Sequence, residues 1–272
     1  MTILNLCDGN SLFHVYHPPA NSDGKTFVFF NALTGDLDMW EGNIGEALRA
    51  VGHGTLSFNF RGQRDSDFTP DVTLTPSQIV ADAARVMGHV QPPRPVMVGL
   101  SIGGLFAAQL HLGGTPGSRA DAIVLINTLR IDGPRLRWIN EAVVRGAEVG
   151  GVELFKDLFL PLLFGEKWLG ENRGDYLKDD PYTPLDQDTG TYQLLKHASE
   201  ADWNVPYEKL DMPVLVMTGL QDHVFYEADA VNSLSARLPN ATRLDIPDAG
   251  HLLPVEAPAT FSQELLDFIA GI

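Results

Sequence analysis

The chain has 272 residues, of which 44% are hydrophobic, so it is long enough to bury a sizeable core. Its formal net charge is −16, from 35 acidic and 19 basic residues, which argues against nucleic acid or an anionic membrane as a partner. A single cysteine, Cys7, excludes an intrachain disulfide and a cluster of thiolate metal ligands.

The N-terminal segment gives the first predicted strand and no targeting signal. We expect the Cys7 thiol to be buried, because it lies at the end of that strand. Residues 1–4 lack the basic and apolar regions of a signal peptide, and no apolar run reaches the length of a membrane span. The sequence therefore predicts a soluble, cytoplasmic protein.

Strand-like and helix-like segments alternate over the first half of the chain. A hairpin of residues 3–7 and 11–17 precedes predicted strands at 26–30, 55–60, 96–100 and 122–127, and predicted helices at 40–51, 76–89 and 102–112. Thr75 and Pro76 supply the hydroxyl cap and the first-turn proline that typically begin a helix. This alternation predicts a mostly parallel sheet with helices on both faces.

The pattern changes between about residues 130 and 205, where aromatic residues, prolines and charges mix without a clear β-prone run. We predict two helices there, at 154–163 and 192–201. The alternation then resumes with strands at 214–218 and 242–246 and helices at 226–238 and 258–270. The sequence thus predicts an α/β core of residues 1–129 and 207–272, interrupted by a helical cap insertion of residues 130–206.

Ser101 is the central residue of Gly99-Leu100-Ser101-Ile102-Gly103, which matches the pattern G-x-S-x-G. A predicted buried strand precedes this segment and a predicted helix follows it, as a nucleophile elbow requires. In such an elbow a sharp turn holds the serine in a strained conformation, and small neighbours let strand and helix pack closely. We predict that Ser101 is a nucleophile; the alternative is an inert serine in a tight turn.

A serine hydroxyl needs a base to remove its proton, and a third group must orient that base. The loops that follow the last two predicted strands supply Asp222 and His251. Loops at the carboxyl ends of parallel strands lie at one edge of the sheet, so we expect both residues to converge on Ser101. Asp248 and Glu227 are the competing acids.

A tetrahedral intermediate of acyl transfer needs two backbone N–H donors aimed at its oxyanion. The residue after the nucleophile, Ile102, is expected to supply one, because the start of a helix also favours negative charge. The loop at 31–35 is expected to supply the other. We favour Leu33, and Ala32 and Thr34 remain open.

These features together resemble the α/β-hydrolase superfamily over nearly the full length of the chain. Residues 31–40 (NALTGDLDMW) look like the oxyanion loop of 3-oxoadipate enol-lactonases and related small esterases, which has an Asn-Ser-Leu-Gly type segment and a following Met-Trp pair. Residues 60–67 (FRGQRDSD) are similar to the Arg-Gly-His-Gly-x-Ser turn of the superfamily, and Gly250-His251 is similar to its terminal Gly-His. The resemblance implies the α/β-hydrolase fold.

Two positions depart from that resemblance. Gln63 and Arg64 stand where the superfamily turn usually has His and Gly, and we expect this change to alter the polarity near the pocket mouth. Arg61, in the same turn, is expected to brace it by bonding backbone carbonyl groups.

The cap insertion begins with Arg130, Arg135 and Arg137. One of them could clamp a substrate carboxylate through a two-pronged contact, but we expect a solvated helix face. Candidate substrate-binding residues are Ala32, Trp138, Trp168 and Trp203.

The leading hypothesis is a serine hydrolase that cleaves a small carboxylic ester or lactone through an acyl-enzyme intermediate. The same triad could serve C–C bond hydrolysis, or perhydrolysis as in cofactor-free haloperoxidases, and the fold could instead be a non-catalytic binding protein. We expect no cofactor, and the histidines and carboxylates lack metal-ligand spacing. The expected partner is a small-molecule substrate, with neither nucleic acid nor membrane; no oligomeric state is predicted.

Overall fold

Eight strands form one sheet in the structure, a computed structural model that describes residues 2–6, 8–177 and 179–272. The strands are β1 (Thr2–Asn5), β2 (Ser11–His17), β3 (Thr26–Phe30), β4 (Gly54–Phe58), β5 (Pro95–Leu100), β6 (Ala122–Ile126), β7 (Val214–Gly219) and β8 (Ala241–Ile246). Their order is β1-β2-β4-β3-β5-β6-β7-β8, with β2 antiparallel to both of its neighbours and every other pair parallel. This confirms the predicted fold class. The prediction for Cys7 lies outside the described residues.

Helices cover both faces of this sheet, as the alternation predicted. They are α1 (Asp38–Glu41), α2 (Asn43–Ala50), α3 (Pro76–Val90), α4 (Ile102–Leu112), α5 (Pro134–Leu163), α6 (Glu166–Tyr176), α7 (Gly190–His197), α8 (Ala228–Ser235), α9 (Leu253–Glu256) and α10 (Pro258–Ala270). Within the described residues, none of them combines the length and the apolar character that crossing a bilayer requires.

Strand β3 shows how the alternation of side chains builds two cores. Phe27 and Phe29 point to one face, where Phe29 stacks on Trp40 of α1 at 4.7 Å between ring centres and α2 and α10 complete the layer. Val28 and Phe30 point to the other face, against α3 and α4. Each fully buried aromatic side chain contributes about 1.5–3 kcal/mol, which explains why a strand with no polar residue after Thr26 lies at the centre.

Several element ends differ from the sequence prediction. The helix predicted at 40–51 is two helices, because Gly42 takes a non-helical ψ of −125° between them. The strand predicted at 55–60 ends at Phe58, since the N–H of Phe60 donates to the side chain of Gln63 rather than to a neighbouring strand. The helix predicted at 226–238 spans only Ala228–Ser235.

Helices α5, α6 and α7 lie between β6 and β7, in the segment predicted as the cap. The helix predicted at 154–163 corresponds only to the last part of α5, which is interrupted at Gly151 (φ 65°, ψ −152°). A side chain at this position would collide with the carbonyl oxygen of Thr183, so glycine is required for both conformation and space. Helix α6 was not predicted, because it buries no residue and so carries no apolar stripe.

Arg61 braces its turn in a different way from the one predicted. Its buried guanidinium binds two carboxylates rather than backbone carbonyl groups: both oxygens of Asp82 on α3, at 2.8 and 2.9 Å, and Oδ2 of Asp8, at 2.6 Å. Burying a cation is costly unless it is paired, and here two acids that lie far apart in the sequence supply the pairing. Arg61 therefore joins three segments of the core.

Candidate active site

Ser101 occupies the turn between β5 and α4 in a strained backbone conformation, with φ 60° and ψ −123°. A non-glycine residue adopts a positive φ only when its surroundings enforce it. The N–H of Ser101 donates to Ile126 of β6 at 2.8 Å, and a side chain at Gly103 would collide with the carbonyl oxygens of Phe30 and Asn31. The tight approach of α4 to β3 thus holds the serine at the carboxyl edge of the sheet.

Asp222 and His251 form a buried pair at the same edge. The Nδ1 atom of His251 lies 2.6 Å from Oδ2 of Asp222. The other oxygen of Asp222 accepts hydrogen bonds from the N–H groups of Val224, at 3.1 Å, and Phe225, at 2.9 Å. Burial alone would raise the pKa of Asp222, but His251, the Phe225 N–H and Arg130 outweigh it and lower that pKa. The carboxylate therefore stays ionised at neutral pH and holds the imidazole in one orientation.

Two residues that sequence reasoning missed support the His251 loop. Asn127, at the end of β6, donates to the carbonyl oxygens of Gly250 and His251 and accepts from the N–H of Gly219. Glu256 accepts from the N–H groups of Gly250 and Leu252, and also from Gly165 between α5 and α6. The cap and the histidine loop are thus joined through one carboxylate, whose pKa is raised by its burial.

The predicted oxyanion loop is held from behind by Gln63, which donates to the carbonyl oxygens of Ala32, at 2.9 Å, and Leu33, at 3.2 Å. Its side-chain oxygen accepts from Asn31 and from the N–H of Phe60. Gln63 is buried behind the loop, whereas Arg64, the other residue that departs from the usual turn, is exposed. Gln63 thus braces the loop.

The orientation of the Leu33 peptide follows from this contact. In a trans peptide the N–H points away from the preceding C=O, and the Ala32 carbonyl is directed to Gln63. The N–H of Leu33 therefore points away from Gln63, and within the described residues it donates to no other protein group. Ile102 begins α4, so its N–H is among those without an intrahelical partner. Leu33 and Ile102 both line the cavity that contains Ser101.

Arg130 contradicts the expectation of a solvated helix face. It precedes α5 and is only 7% exposed, and its Nη2 atom donates to Oγ of Ser101 at 2.7 Å and to the carbonyl oxygen of Asn127 at 3.0 Å. Arg135 and Arg137, in contrast, are exposed and pair with Glu227 and Asp132 at the surface. Among the described residues, the hydrogen bond to the Ser101 hydroxyl comes from Arg130, and no hydrogen bond joins Ser101 to His251.

A cavity of about 150 Å³ lies between the carboxyl edge of the sheet and helices α5 and α7, and Ser101 and His251 both line it. Of the predicted substrate-binding residues, Ala32 and Trp203 line this cavity. Trp138 does not, because its side chain is 77% exposed on α5, and Trp168 instead stacks on Phe164 of the cap. The remaining lining side chains are mainly apolar: Leu33, Ile102, Val143, Phe155, Phe159, Leu160, Leu163, Leu195, Ala198, Phe225 and Leu252.

In the part of the chain that the structure describes, no three His, Cys, Asp or Glu side chains are grouped so that they could hold a metal ion. The arrangement brings together a strained serine, an oriented imidazole, two backbone N–H groups and a buried guanidinium.

Comparison with known proteins places this geometry in a family. A profile of the alpha/beta hydrolase fold matches residues 25–258. BpoC of Mycobacterium tuberculosis strain H37Rv, provisionally named a non-heme bromoperoxidase, is 27% identical over 258 residues, which cover 93% of this chain and 96% of that protein. The 3-oxoadipate enol-lactonase 2 of Acinetobacter baylyi is 26% identical over 250 residues, which cover 89% of this chain and 87% of that protein.

Among solved structures, the alpha/beta hydrolase enzyme MGS-M2, from a Medee basin deep-sea metagenome library, superposes with a TM-score of 0.85. It is 19% identical, and the match covers 99% of this chain and 97% of that one. The profile spans most of the sequence and the sheet has the same architecture. The chain therefore belongs to the alpha/beta hydrolase fold family.

Proposed function

We propose that this protein is a serine hydrolase that cleaves a small carboxylic ester or lactone. One observation carries the proposal: Ser101, held in a strained turn, lines the same cavity as His251, whose Nδ1 atom is fixed by Asp222 at 2.6 Å. Strain at a serine beside an oriented imidazole has no structural use in the core, whereas it serves to present a nucleophile.

In the first half of the reaction, Oγ of Ser101 attacks the carbonyl carbon while its proton passes to Nε2 of His251. The negative Asp222 stabilises the imidazolium that forms. The N–H groups of Leu33 and Ile102 stabilise the oxyanion, since both lie on the cavity wall. The imidazolium then gives its proton to the departing alkoxide, which leaves the acyl group on Ser101.

In the second half, a water molecule attacks the acyl-enzyme and His251 takes its proton. The tetrahedral intermediate collapses, the C–O bond to Ser101 breaks, and the serine regains its proton from His251. Arg130 does not compete for these protons, because a guanidinium donates a hydrogen bond to a lone pair of Oγ and cannot accept the hydroxyl hydrogen. The Ser101 proton therefore remains free for the imidazole.

The size and lining of the cavity favour a small substrate with an apolar part, because a space of about 150 Å³ is comparable to one that accommodates a benzene-sized molecule. The relative named 3-oxoadipate enol-lactonase 2 agrees with an ester or lactone as the scissile group. Ser101, Asp222 and His251 supply all three residue types that the triad needs, and this favours an enzyme over a non-catalytic binding protein with this fold.

Hydrolysis of 4-nitrophenyl acetate by purified protein tests the proposal. We expect Ser101→Ala to lower kcat by about 10⁴-fold or more with the fold intact by circular dichroism, and a fluorophosphonate probe to label Ser101 in the wild type. Ser199→Ala, at an exposed serine of the cap, is the matched control and should retain full activity. Unchanged turnover in Ser101→Ala would rule out the mechanism.

A further inference from the structure

We propose that Arg130 binds a carboxylate of the substrate, so that the preferred esters or lactones carry an anionic acyl group. This inference rests on the proposed function, because it concerns the substrate class of the same cavity.

The first support is a buried cation that no described carboxylate contacts. The structure buries two arginines, Arg61 and Arg130, within the residues that it describes. Arg61 is bound by two carboxylates, whereas Arg130 has no acidic oxygen within 4.0 Å in the described part of the chain. Burial lowers the pKa of Arg130, to about 10, and Asp222 partly opposes this, so the side chain stays protonated at neutral pH. An unpaired buried cation is unfavourable, and an anionic ligand would relieve it.

The second support is the unused donor capacity of the guanidinium. Nη2 donates to Oγ of Ser101 and to the carbonyl oxygen of Asn127, while Nε is buried and finds no acceptor among the residues that the structure describes. A guanidinium has five N–H donors in a planar fork whose geometry matches a carboxylate. Its contacts here are to neutral oxygens only, so the strongest interaction that this group can make is absent.

The third support is that the arginine is held in place. Its guanidinium carbon lies 4.0 Å from the ring centre of Phe225 and 5.0 Å from that of Trp203. These aromatic contacts fix the side chain beside the nucleophile without supplying a negative charge. Arg130 is thus pre-organised for a ligand, which reduces the entropy cost of binding.

The surroundings favour a monoanionic carboxylate over a more highly charged group. Among the described residues that line the cavity, Arg130 is the one Lys or Arg, and most of the others are apolar. A phosphate dianion would leave charge unmatched in such a cavity, whereas one carboxylate matches one guanidinium.

The position of Arg130 also fixes where the carboxylate lies in the substrate. Nη2 is 2.7 Å from Oγ of Ser101, the oxygen that attacks the carbonyl carbon. A carboxylate on this guanidinium and a carbonyl within about 3–3.5 Å of Oγ can belong to one molecule only when a few bonds separate them. The predicted substrate class is therefore the esters and lactones of short dicarboxylic acids.

A matched pair of substrates tests the inference. Monomethyl succinate carries the carboxylate, and methyl 4-methylpentanoate replaces it with an uncharged isopropyl group that has the same number of heavy atoms. The decisive quantity is the ratio of kcat/KM for the charged ester to kcat/KM for the neutral one. A ratio is used because Arg130 also contacts Ser101, so its substitution can change the reactivity of the serine toward both esters.

We expect the ratio to fall about 100-fold in Arg130→Met, and less in Arg130→Lys, which keeps the charge and loses the fork. Arg137→Met removes an exposed arginine of the same cap and should leave the ratio unchanged. An equal ratio in the wild type and Arg130→Met overturns the inference, while loss of activity in Ser101→Ala still supports hydrolysis.

Calorimetric titration with succinate gives a readout that does not depend on turnover. If the wild type hydrolyses no ester, the proposed function fails, and succinate binding alone decides the inference. Binding by the wild type and Ser101→Ala that is lost in Arg130→Met supports it. Absence of binding to the wild type, or equal binding to Arg130→Met, overturns it.

Discussion

The side-chain amide of Gln63 donates to the carbonyl oxygen of Ala32 across 2.9 Å, and this contact orients the following peptide N–H. The amide acts at a distance from the reacting atoms, because it binds the back of the loop whose front lines the cavity. A residue that departs from the usual pattern of the family thus retains a positioning role.

We predict that Gln63→Leu lowers kcat for 4-nitrophenyl acetate by about 10²-fold and changes KM little. The substitution removes the side-chain hydrogen bonds to the Ala32 and Leu33 carbonyl oxygens and leaves Ala32 only its bond from the N–H of Gly35. The Leu33 N–H then no longer points consistently at the oxyanion, which forms only in the transition state. Steady-state kinetics measure both constants. Arg64→Leu, in the same turn, removes only exposed ion pairs and should behave like the wild type. A large rise in KM at constant kcat would contradict the positioning role.

We predict that Asp222→Asn lowers kcat by about 10³ to 10⁴-fold with little loss of folding. The amide can still fill the space, but it neither fixes the required tautomer of His251 nor stabilises the imidazolium. Asp248→Asn is the matched control, because Asp248 is an exposed residue of the histidine loop. Equal losses in the two variants would show that the loop, and not the carboxylate at 2.6 Å, carries the effect.

The two buried arginines should respond in opposite ways to the same substitution. Arg61→Met removes the buried cation that Asp82 and Asp8 share and leaves Asp82 with only the half-exposed Arg85, so we expect the free energy of unfolding to fall by about 3 kcal/mol. Arg130→Met removes a cation that no carboxylate of the described residues contacts, so we expect the unfolding midpoint to stay the same or rise. Chemical denaturation of both variants measures the difference. A strong destabilisation by Arg130→Met would indicate a structural role for its charge.

Asp8 gives a prediction for acid stability. Burial opposes ionisation, but hydrogen bonds from Arg61 and Asn10 lower the pKa of Asp8 to about 2, below its value of about 3.9 in an unfolded chain. A lowered folded-state pKa stabilises the fold above the unfolded pKa, and this stabilisation is lost as the pH falls to about 2. We therefore expect Asp8→Asn to be less stable than the wild type at pH 6, with the gap closing between about pH 4 and pH 2. Urea denaturation at several pH values measures the gap, and a gap independent of pH would contradict the assignment.

Most strands and helices could be predicted from local sequence patterns. The run of branched and aromatic residues from Thr26 to Phe30 matches β3 in both bounds, and helix α10 begins and ends where its apolar period and Pro258 indicate. Such elements are predictable because the spacing of apolar residues along the sequence indicates which side chains are buried. The break at Gly42 and helix α6 were not predicted, because neither produces a recognisable change in the spacing of apolar residues.

The sequence by itself determined the order of the strands and helices, the elbow around Ser101, and the loops in which Asp222 and His251 occur. These follow from spacing along the chain and from the rule that parallel strands end at one edge. Only the tertiary structure decided which arginines are buried, that Trp138 faces solvent, and that Asn127, Gln63 and Glu256 support the site loops. The physical reason is that pairing and burial are set by contacts between segments far apart in sequence, which no local pattern records.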